Sequence, residues 1–536
     1  MSHMSTPACL SVPDHEVVVV GAGFGGIGVG VALRNAGIED FVMIDRWPAV
    51  GGTWFVNTYP GVAVDIPSAV YSFSFEQRSD WSRVFAPGAE LRRYAEHVVD
   101  KYGLRPKLRL GKTVNRAAFD EQHHIWRIAM DDGAEITARF LVLAVGGLEC
   151  PKLPDIAGID SFGGKVIHTA RWDHDYDLAG KRVAVIGTGA SALQLVPEIA
   201  ERVAHLSVFQ RTPIWVSPKP DIALGPVASF ILRRAIARAA LRWTGHAGVE
   251  FLAALMVSLN RRAPGIGRTI EARTREWMRT QVHDPKVRDQ LTPKYTYGCK
   301  RPSMSNTYLK TFNRPDVELV VDPIERITAA GIVTADGVER EVDAVICATG
   351  FKVMERGSTP AFPLVGRGGT DLGNFWHENR FQAYHGVSVP GFPNLFFNSG
   401  PYGYAPGSYL CMIESTAAHL ARAISETRRR GATCCEIRQE PHDRYYAKSY
   451  RRSHNMALLS GACAGSNTYY INYQGDAPAI RPSLNVEMWW QNRHFPLDDY
   501  KYSLATPRNR QPGAAVHKKA ATVRSESVVA VQRFGN

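Results

Sequence analysis

The 536 residues contain no CxxC pair, no long apolar run and no block of five like charges, and each absence removes a class of protein. The eight cysteines (Cys9, Cys150, Cys299, Cys347, Cys411, Cys434, Cys435 and Cys463) are scattered. That speaks against a redox dithiol and against a disulfide framework, so reduced thiols in a cytoplasmic protein are expected. Val17–Leu33 is uncharged but rich in glycine, and 381–413 lacks Asp, Glu, Lys and Arg but is full of Pro, Gly, Tyr and Asn. Neither is the stretch of about twenty predominantly apolar residues that a membrane helix needs, so no integral membrane segment is expected. The first sixteen residues lack the basic flank and apolar run of a signal peptide. The net charge of +12 is partly local, because Arg508, Arg510, Lys518, Lys519, Arg524 and Arg533 face only Glu526 near the C-terminus. With no basic helix interleaved with aromatics, nucleic acid is not an expected partner.

What remains is an ordinary globular composition, 45% hydrophobic and 21% charged, in a chain too long for one core. Residues 16–20, EVVVV, read as a buried strand entering a glycine loop. A helical run over 27–35 follows, then a strand over 40–44 that ends in Asp45. A second such βαβ unit begins at Lys181, with a strand over 182–186, a helix through Ile199 and a strand over 206–210. The fold class is therefore α/β, with two Rossmann-like dinucleotide-binding domains. Residues 230–243 and 250–262 have helical apolar spacing with Arg on the other face. They read as an inserted helical segment packed in the core, with membrane contact the alternative. The expected division is a flexible N-terminus (1–14), a first dinucleotide-binding domain (15–150 and 381–506), a second (151–220 and 293–380), a helical insertion (221–292) and a disordered basic tail (507–536).

In Gly21-Ala22-Gly23-Phe24-Gly25-Gly26 the first glycine permits a tight turn, Gly23 lets backbone approach a pyrophosphate, and Gly26 allows close helix–strand packing. The helix N-terminus then faces the phosphate charge, and Asp45 is placed to take ribose hydroxyls. Gly187-Thr188-Gly189-Ala190-Ser191-Ala192 repeats the device with no acid at the end of its second strand. Gln210-Arg211-Thr212-Pro213 stands there instead, and a guanidinium suits a 2′-phosphate. One nucleotide held by an acid and another by an arginine point to a fixed FAD and a visiting NADPH.

Residues 162–173, FGGKVIHTARWD, fit the pattern FxGxxxHxxxW followed by Pro or Asp, at Phe162, Gly164, His168, Trp172 and Asp173. At roughly one in twenty per fixed letter, a chance match in such a chain is about three in ten thousand. A second pattern runs through Gly51-Gly52-Thr53-Trp54, Tyr59-Pro60-Gly61 and Asp65. By these two fingerprints the chain resembles the Baeyer–Villiger monooxygenases. The resemblance extends through 65–75, 82–91, 297–309 and 346–351, and so over most of 15–500.

The resemblance implies a flavoprotein that takes a hydride from NADPH onto FAD and uses O2, through a peroxyflavin, to place an oxygen atom beside a ketone carbonyl. It implies Arg301 as the active-site arginine and Asp65 as the carboxylate that holds it. Lys300 and Arg211 would clamp the 2′-phosphate, and His168 and Trp172 would position the link between domains rather than act as acid or base. Gly21, Gly23, Phe24, Gly26, Asp45, Gly52, Thr53, Trp54, Asp65, Tyr71 and Val114 are expected at FAD. Gly187, Thr188, Gly189, Ser191, Gln194, Arg211, Thr212 and Lys300 are expected at NADPH. No metal is implied. Met304-Ser305-Asn306 and Ala63 depart from the Asp and Arg found in some members, which leaves substrate and nicotinamide contacts open. Residues 467–478 resemble the family's mobile loop only loosely, and none is assigned a role. The nearest alternatives are a flavin-containing monooxygenase that oxidises sulfur or nitrogen and an NADPH oxidase that releases peroxide.

Overall fold

The computed structural model describes residues 12–254, 264–301, 303–405, 407–463 and 465–505; the basic tail and nearly all of the expected N-terminal arm lie outside them. The valine run Val17–Val20 is buried because β1 (His15–Val20) has parallel neighbours on both sides. These neighbours are β2 (Phe41–Asp45) and β6 (Glu135–Leu143). With β3 (Leu108–Leu110), β4 (Val114–Asp120), β5 (Ile125–Met130) and the short strands Leu364–Val365 and Leu395–Phe397 they form an eight-stranded sheet. One edge of β6 is shared. Its first half pairs antiparallel with β5, and Leu141–Leu143 then pairs parallel with Leu395–Phe397. The late chain thereby completes a sheet that the early chain begins.

The second sheet has five parallel strands. Their order is Val317–Val320, β9 (His205–Phe209), β8 (Arg182–Ile186), Ala344–Cys347 and β7 (Lys165–His168). Both glycine loops lie where expected, between a central strand and a helix. The helices α1 (Phe24–Asn35), α2 (Thr53–Val56), α3 (Gly88–Lys101) and α4 (Ala190–Ala200) follow in chain order. α1 starts earlier than its apolar periodicity suggests, because its first turn takes in Phe24, Gly25 and Gly26 of the loop itself.

Two expectations are corrected. The stretch 230–243 lies on the helices Pro226–Leu232 and Ala235–Ala254, but these are not core helices: Ile236 is 85% exposed and Trp243 77%. They lean on the first unit where Arg242 donates to the Ser72 carbonyl (2.8 Å) and Gly245 meets Val70. Helical spacing reveals an apolar stripe but not what covers it. Part of the second stretch, 255–263, lies outside the described residues. The second correction concerns the thiols. Cys299 and Cys463, 164 residues apart, form a disulfide, a pairing that only the tertiary fold creates. Cys150, Cys347, Cys411, Cys434 and Cys435 are free. No helix among the described residues is long and apolar enough to cross a membrane.

A Cβ on Gly26 would stand 1.8 Å from the Gly21 carbonyl oxygen, whereas one on Gly189, whose φ is −79°, would have no neighbour within 4 Å. Overpacking of this kind costs about 1–3 kcal/mol or more. Gly26→Ala is therefore expected to lower the melting temperature by several degrees or to prevent folding, while Gly189→Ala melts within about a degree of the parent. Equal melting of both variants in thermal unfolding would refute the close approach of α1 to the Gly21 turn.

Candidate active site

The first glycine loop is held by backbone contacts and by one carboxylate, that of Asp45. Gly21, at φ +112°, donates to the Ile44 carbonyl (2.7 Å), and a Cβ there would meet the Ala144 carbonyl oxygen at 2.4 Å. A second turn leans on it: Gly51 donates to the Ala22 carbonyl (3.1 Å), and a Cβ on Gly52 would lie 2.9 Å from the Gly23 Cα. No side chain caps α1 at Gly23. The first-turn N–H groups thus present an anion site walled by backbone. Residues this small and this close fit a dinucleotide pyrophosphate.

Asp45 sits at the end of β2, where both carboxylate oxygens accept backbone N–H groups, from Ala22 (2.6 Å) and Trp47 (2.9 Å). Burial pushes its carboxyl above the usual range despite those bonds. Each oxygen retains a lone pair for a ribose hydroxyl. Val114 opens β4 inside the apolar cluster that holds Val42 and Ile44.

Beyond the loop stands an aromatic wall. Phe24 is buried and edge-on to Tyr71 (6.2 Å). Trp54, next to Thr53 in the short α2, donates from its indole N–H to the Tyr71 hydroxyl (3.1 Å). Tyr404 stacks on Tyr409 at 5.5 Å, and Tyr409 lies close enough to raise the Tyr71 hydroxyl further above a range that burial has already lifted.

In the second unit Gly187 (φ +111°) donates to the Phe209 carbonyl (3.0 Å), and its Cβ position is filled by the Ala348 carbonyl. Thr188 donates to the Thr212 carbonyl (3.0 Å), which fixes the turn that follows β9. Gly189 caps α4 without a side-chain bond. At the end of β9 an exposed Arg211 acts on Lys300. Burial, and then this like charge, pull the Lys300 ammonium down to about 8. No carboxylate is among the groups that shift Lys300, so the two cations leave a local excess of positive charge suited to a multiply charged anion.

Arg301, the next residue, donates through Nη2 to Asp65 Oδ1 at 2.7 Å, with both side chains 40% exposed. The Asp65 carboxylate holds the guanidinium well above its ordinary range. Tyr469 and Tyr470 face the same cation. Half-buried Lys219, 5.0 Å over the Phe85 ring, also feels Asp65. None of these three is among the residues expected from sequence. The doubled tyrosine in 467–478 is the one local signal, set among Asn467, Thr468, Asn472 and Gly475 as well as Ile471 and Tyr473. Asn306 is turned away into a pair of hydrogen bonds with the Lys219 backbone (2.8 and 2.9 Å).

The two fingerprints are junctions. Tyr59 donates to Gln194 Oε1 (2.8 Å), and Gln194 donates to the Ala63 carbonyl (2.9 Å). Ser191 also reaches the Tyr59 hydroxyl, and Gly61, at φ +80°, lies where a Cβ would strike the Gln194 carbonyl at 2.6 Å. The segment around α2 therefore rides on α4. In the other fingerprint, Gly164 packs on the Asp343 carbonyl and Lys165 pairs with Asp173 (2.6 Å). Trp172 packs on the apolar core of the second unit. Arg171 lies over Trp47 of the first unit (4.9 Å). His168 Nδ1 accepts the Ala170 N–H (3.1 Å) and burial lowers its pKa, so it is a neutral ring folded into its own turn. The sequence places these residues at a link; the contacts show what they grip.

Comparison with known proteins adds the family. A family profile described as pyridine nucleotide-disulphide oxidoreductase matches residues 18–260. A Baeyer–Villiger monooxygenase of Pseudomonas aeruginosa is 39% identical over 464 residues, covering 86% of this chain and 86% of its own. One from Streptomyces coelicolor is 38% identical over 506 residues, covering 94% and 95%. The crystal structure of OTEMO in complex with FAD and NADP covers 92% of this chain and 100% of that one, with a TM-score of 0.82 at 28% identity. The chain belongs to the Baeyer–Villiger monooxygenases, flavoprotein oxidoreductases that work with FAD, NADPH and O2.

Proposed function

We propose that this protein oxygenates a small-molecule ketone, with Arg301 and Asp65 at the reacting centre. Ketone, O2, NADPH and a proton give an ester or lactone, water and NADP+. Bound FAD, reduced by NADPH, supplies the electrons that activate O2. The observation that carries this reading is the Arg301–Asp65 pair, in which a carboxylate fixes the direction and the charge of a guanidinium. Arginine suits the position because it never loses its proton, and a fixed cation stabilises negative charge that develops on a carbonyl oxygen.

FAD is held by residues 15–150 together with 381–506. Its pyrophosphate lies on Gly21, Gly23 and Gly26 with Gly52 and Thr53, its ribose at Asp45, and its adenine end near Val114. Phe24, Trp54 and Tyr71 wall the ring end. NADPH is held by residues 151–220 with 293–380. Its pyrophosphate lies on Gly187, Thr188, Gly189 and Ser191, with Gln194 alongside, and its 2′-phosphate on Arg211, Thr212 and Lys300. Residues 221–292 are an insertion in the second unit. The backbone-walled loops and the Lys300–Arg211 cation pair support this division.

Arg301→Ala is expected to leave reduction of the flavin by NADPH measurable while product from a simple cyclic ketone falls by at least about 100-fold. Products are identified alongside NADPH loss, with a thioether in a parallel assay. Unimpaired ketone oxygenation by the variant would sink the assignment, and turnover of the thioether alone would favour heteroatom oxidation. Lys300 carries its proton below about 8 and loses it above, so the attraction for a 2′-phosphate weakens as pH rises through that value. The ratio of kcat/KM for NADPH over NADH should therefore fall between about pH 7 and 9, since this quantity reports the free enzyme. In Lys300→Met the ratio should start about tenfold lower at pH 7, the worth of one charge-assisted contact, and stay flat. A wild-type ratio that does not change with pH removes Lys300 from the phosphate site.

A further inference from the structure

The Cys299–Cys463 bridge joins two segments that both end at Arg301. Cys299 directly precedes Lys300 and Arg301, and is buried with Cys463 in the apolar core of the second unit. Shortly after Cys463 the chain reaches Tyr469 and Tyr470, which face the Arg301 guanidinium; Tyr469 also faces Asp65. The far end of 465–476 is well anchored: Tyr473 meets His377 (3.0 Å), Gln474 donates to the Trp376 and His377 carbonyls (3.0 Å each), and Arg380 pairs with Asp476 (2.6 Å). The end nearer Cys463 is held more lightly, by Asn467 donating to Thr212 Oγ1 (2.9 Å) and by Tyr470 and Ile471 packing beside Met456 and Leu458. A neutral hydrogen bond at a half-exposed site is worth about 1 kcal/mol, little against the freedom of the chain there. A covalent link at Cys463 removes much of that freedom.

We infer that Cys299 and Cys463 are positioning residues for this enzyme. Their disulfide holds the Tyr469–Tyr470 turn over Arg301, and its reduction loosens that turn, so that less of the NADPH consumed ends in oxygenated product. The inference rests on the proposed place of Arg301 at the reacting centre. The change is a two-electron exchange with a dithiol. The protein S–S bond breaks, each cysteine sulfur takes one proton, and the two dithiol sulfurs join as a disulfide. Hydrogen peroxide reverses it: one thiolate attacks the peroxide to give a sulfenic acid, the other thiol displaces hydroxide from it, and two waters leave.

The test uses the FAD-loaded full chain. Digestion without reductant, followed by mass spectrometry, should give the Cys299 and Cys463 peptides linked, and after dithiothreitol both should be alkylated. Hydrogen exchange across 465–476 should quicken about tenfold in the reduced wild type and in Cys463→Ser, with no ketone present. Ester formed per NADPH consumed should fall roughly threefold or more, while the rate of flavin reduction by NADPH is unchanged. If Cys463→Ser does not fold, the chemically reduced wild type supplies the same comparison. Unlinked cysteines in the protein as isolated, equal exchange in the two redox states, or equal product ratios would each overturn the inference. Because the exchange measurement needs no ketone, failure of the tether is distinguishable from failure of the oxygenation reading.

Discussion

The ion pair between Arg301 and Asp65 ties this molecule together. Arg301 and Asp65 come from positions 236 residues apart, one beside the second sheet's cation pair and the other from the segment that follows α2. The pair exists only when both units have folded and docked. At this exposure the pair adds little stability by itself, and what it fixes is the direction of the guanidinium. Lys300 makes the contrast. It is the neighbouring residue with the neighbouring charge, but its close companion is another cation, and burial with that repulsion weakens its hold on a proton. One residue of the dipeptide is locked in its charged state, and the other gives up its proton more easily than a free lysine.

The docking that brings Asp65 to Arg301 is carried by residues whose chemistry is otherwise plain. Tyr59, Gly61 and Ala63 meet Gln194 on α4, and Arg171 crosses to Trp47. Both fingerprints are thus surfaces where one unit grips the other. His168, the side chain in them that most invites a catalytic role, is neutral and bonded within its own turn. A motif can be diagnostic of a chemistry without containing it, because what it preserves is the geometry between two bodies.

The parts of this organisation written locally were readable in sequence. Gly21 and Gly26 announce a loop because a Cβ has no room there, and the strands over 16–20 and 182–186 announce themselves by runs of buried apolar residues rich in valine. Arg301 and Asp65 came into view only through a resemblance, since nothing in the spacing of two residues so far apart predicts an ion pair. The disulfide was missed for the same reason, as its partners share no local pattern. Tyr469 and Tyr470 lie in a turn whose composition suits any surface, and their position over Arg301 is a tertiary fact. The exposed helices around Ile236 and Trp243 show the opposite error: an apolar stripe was read as evidence of a core that does not cover it.

The seam along β6 has a consequence for how the protein is made. Leu141–Leu143 waits for Leu395–Phe397, and Asn394 then ties the same region to Cys435 through its side chain (2.8 Å). Synthesis proceeds from the N-terminus, so the opening sheet leaves the ribosome with part of a central strand unsatisfied until residue 397 has emerged. An open apolar strand edge is a hazard for a nascent chain. The second sheet, whose strands all lie between 165 and 347, is complete before then. The domain that begins first is therefore finished last, and a fragment ending near residue 380 would carry its unfinished edge permanently.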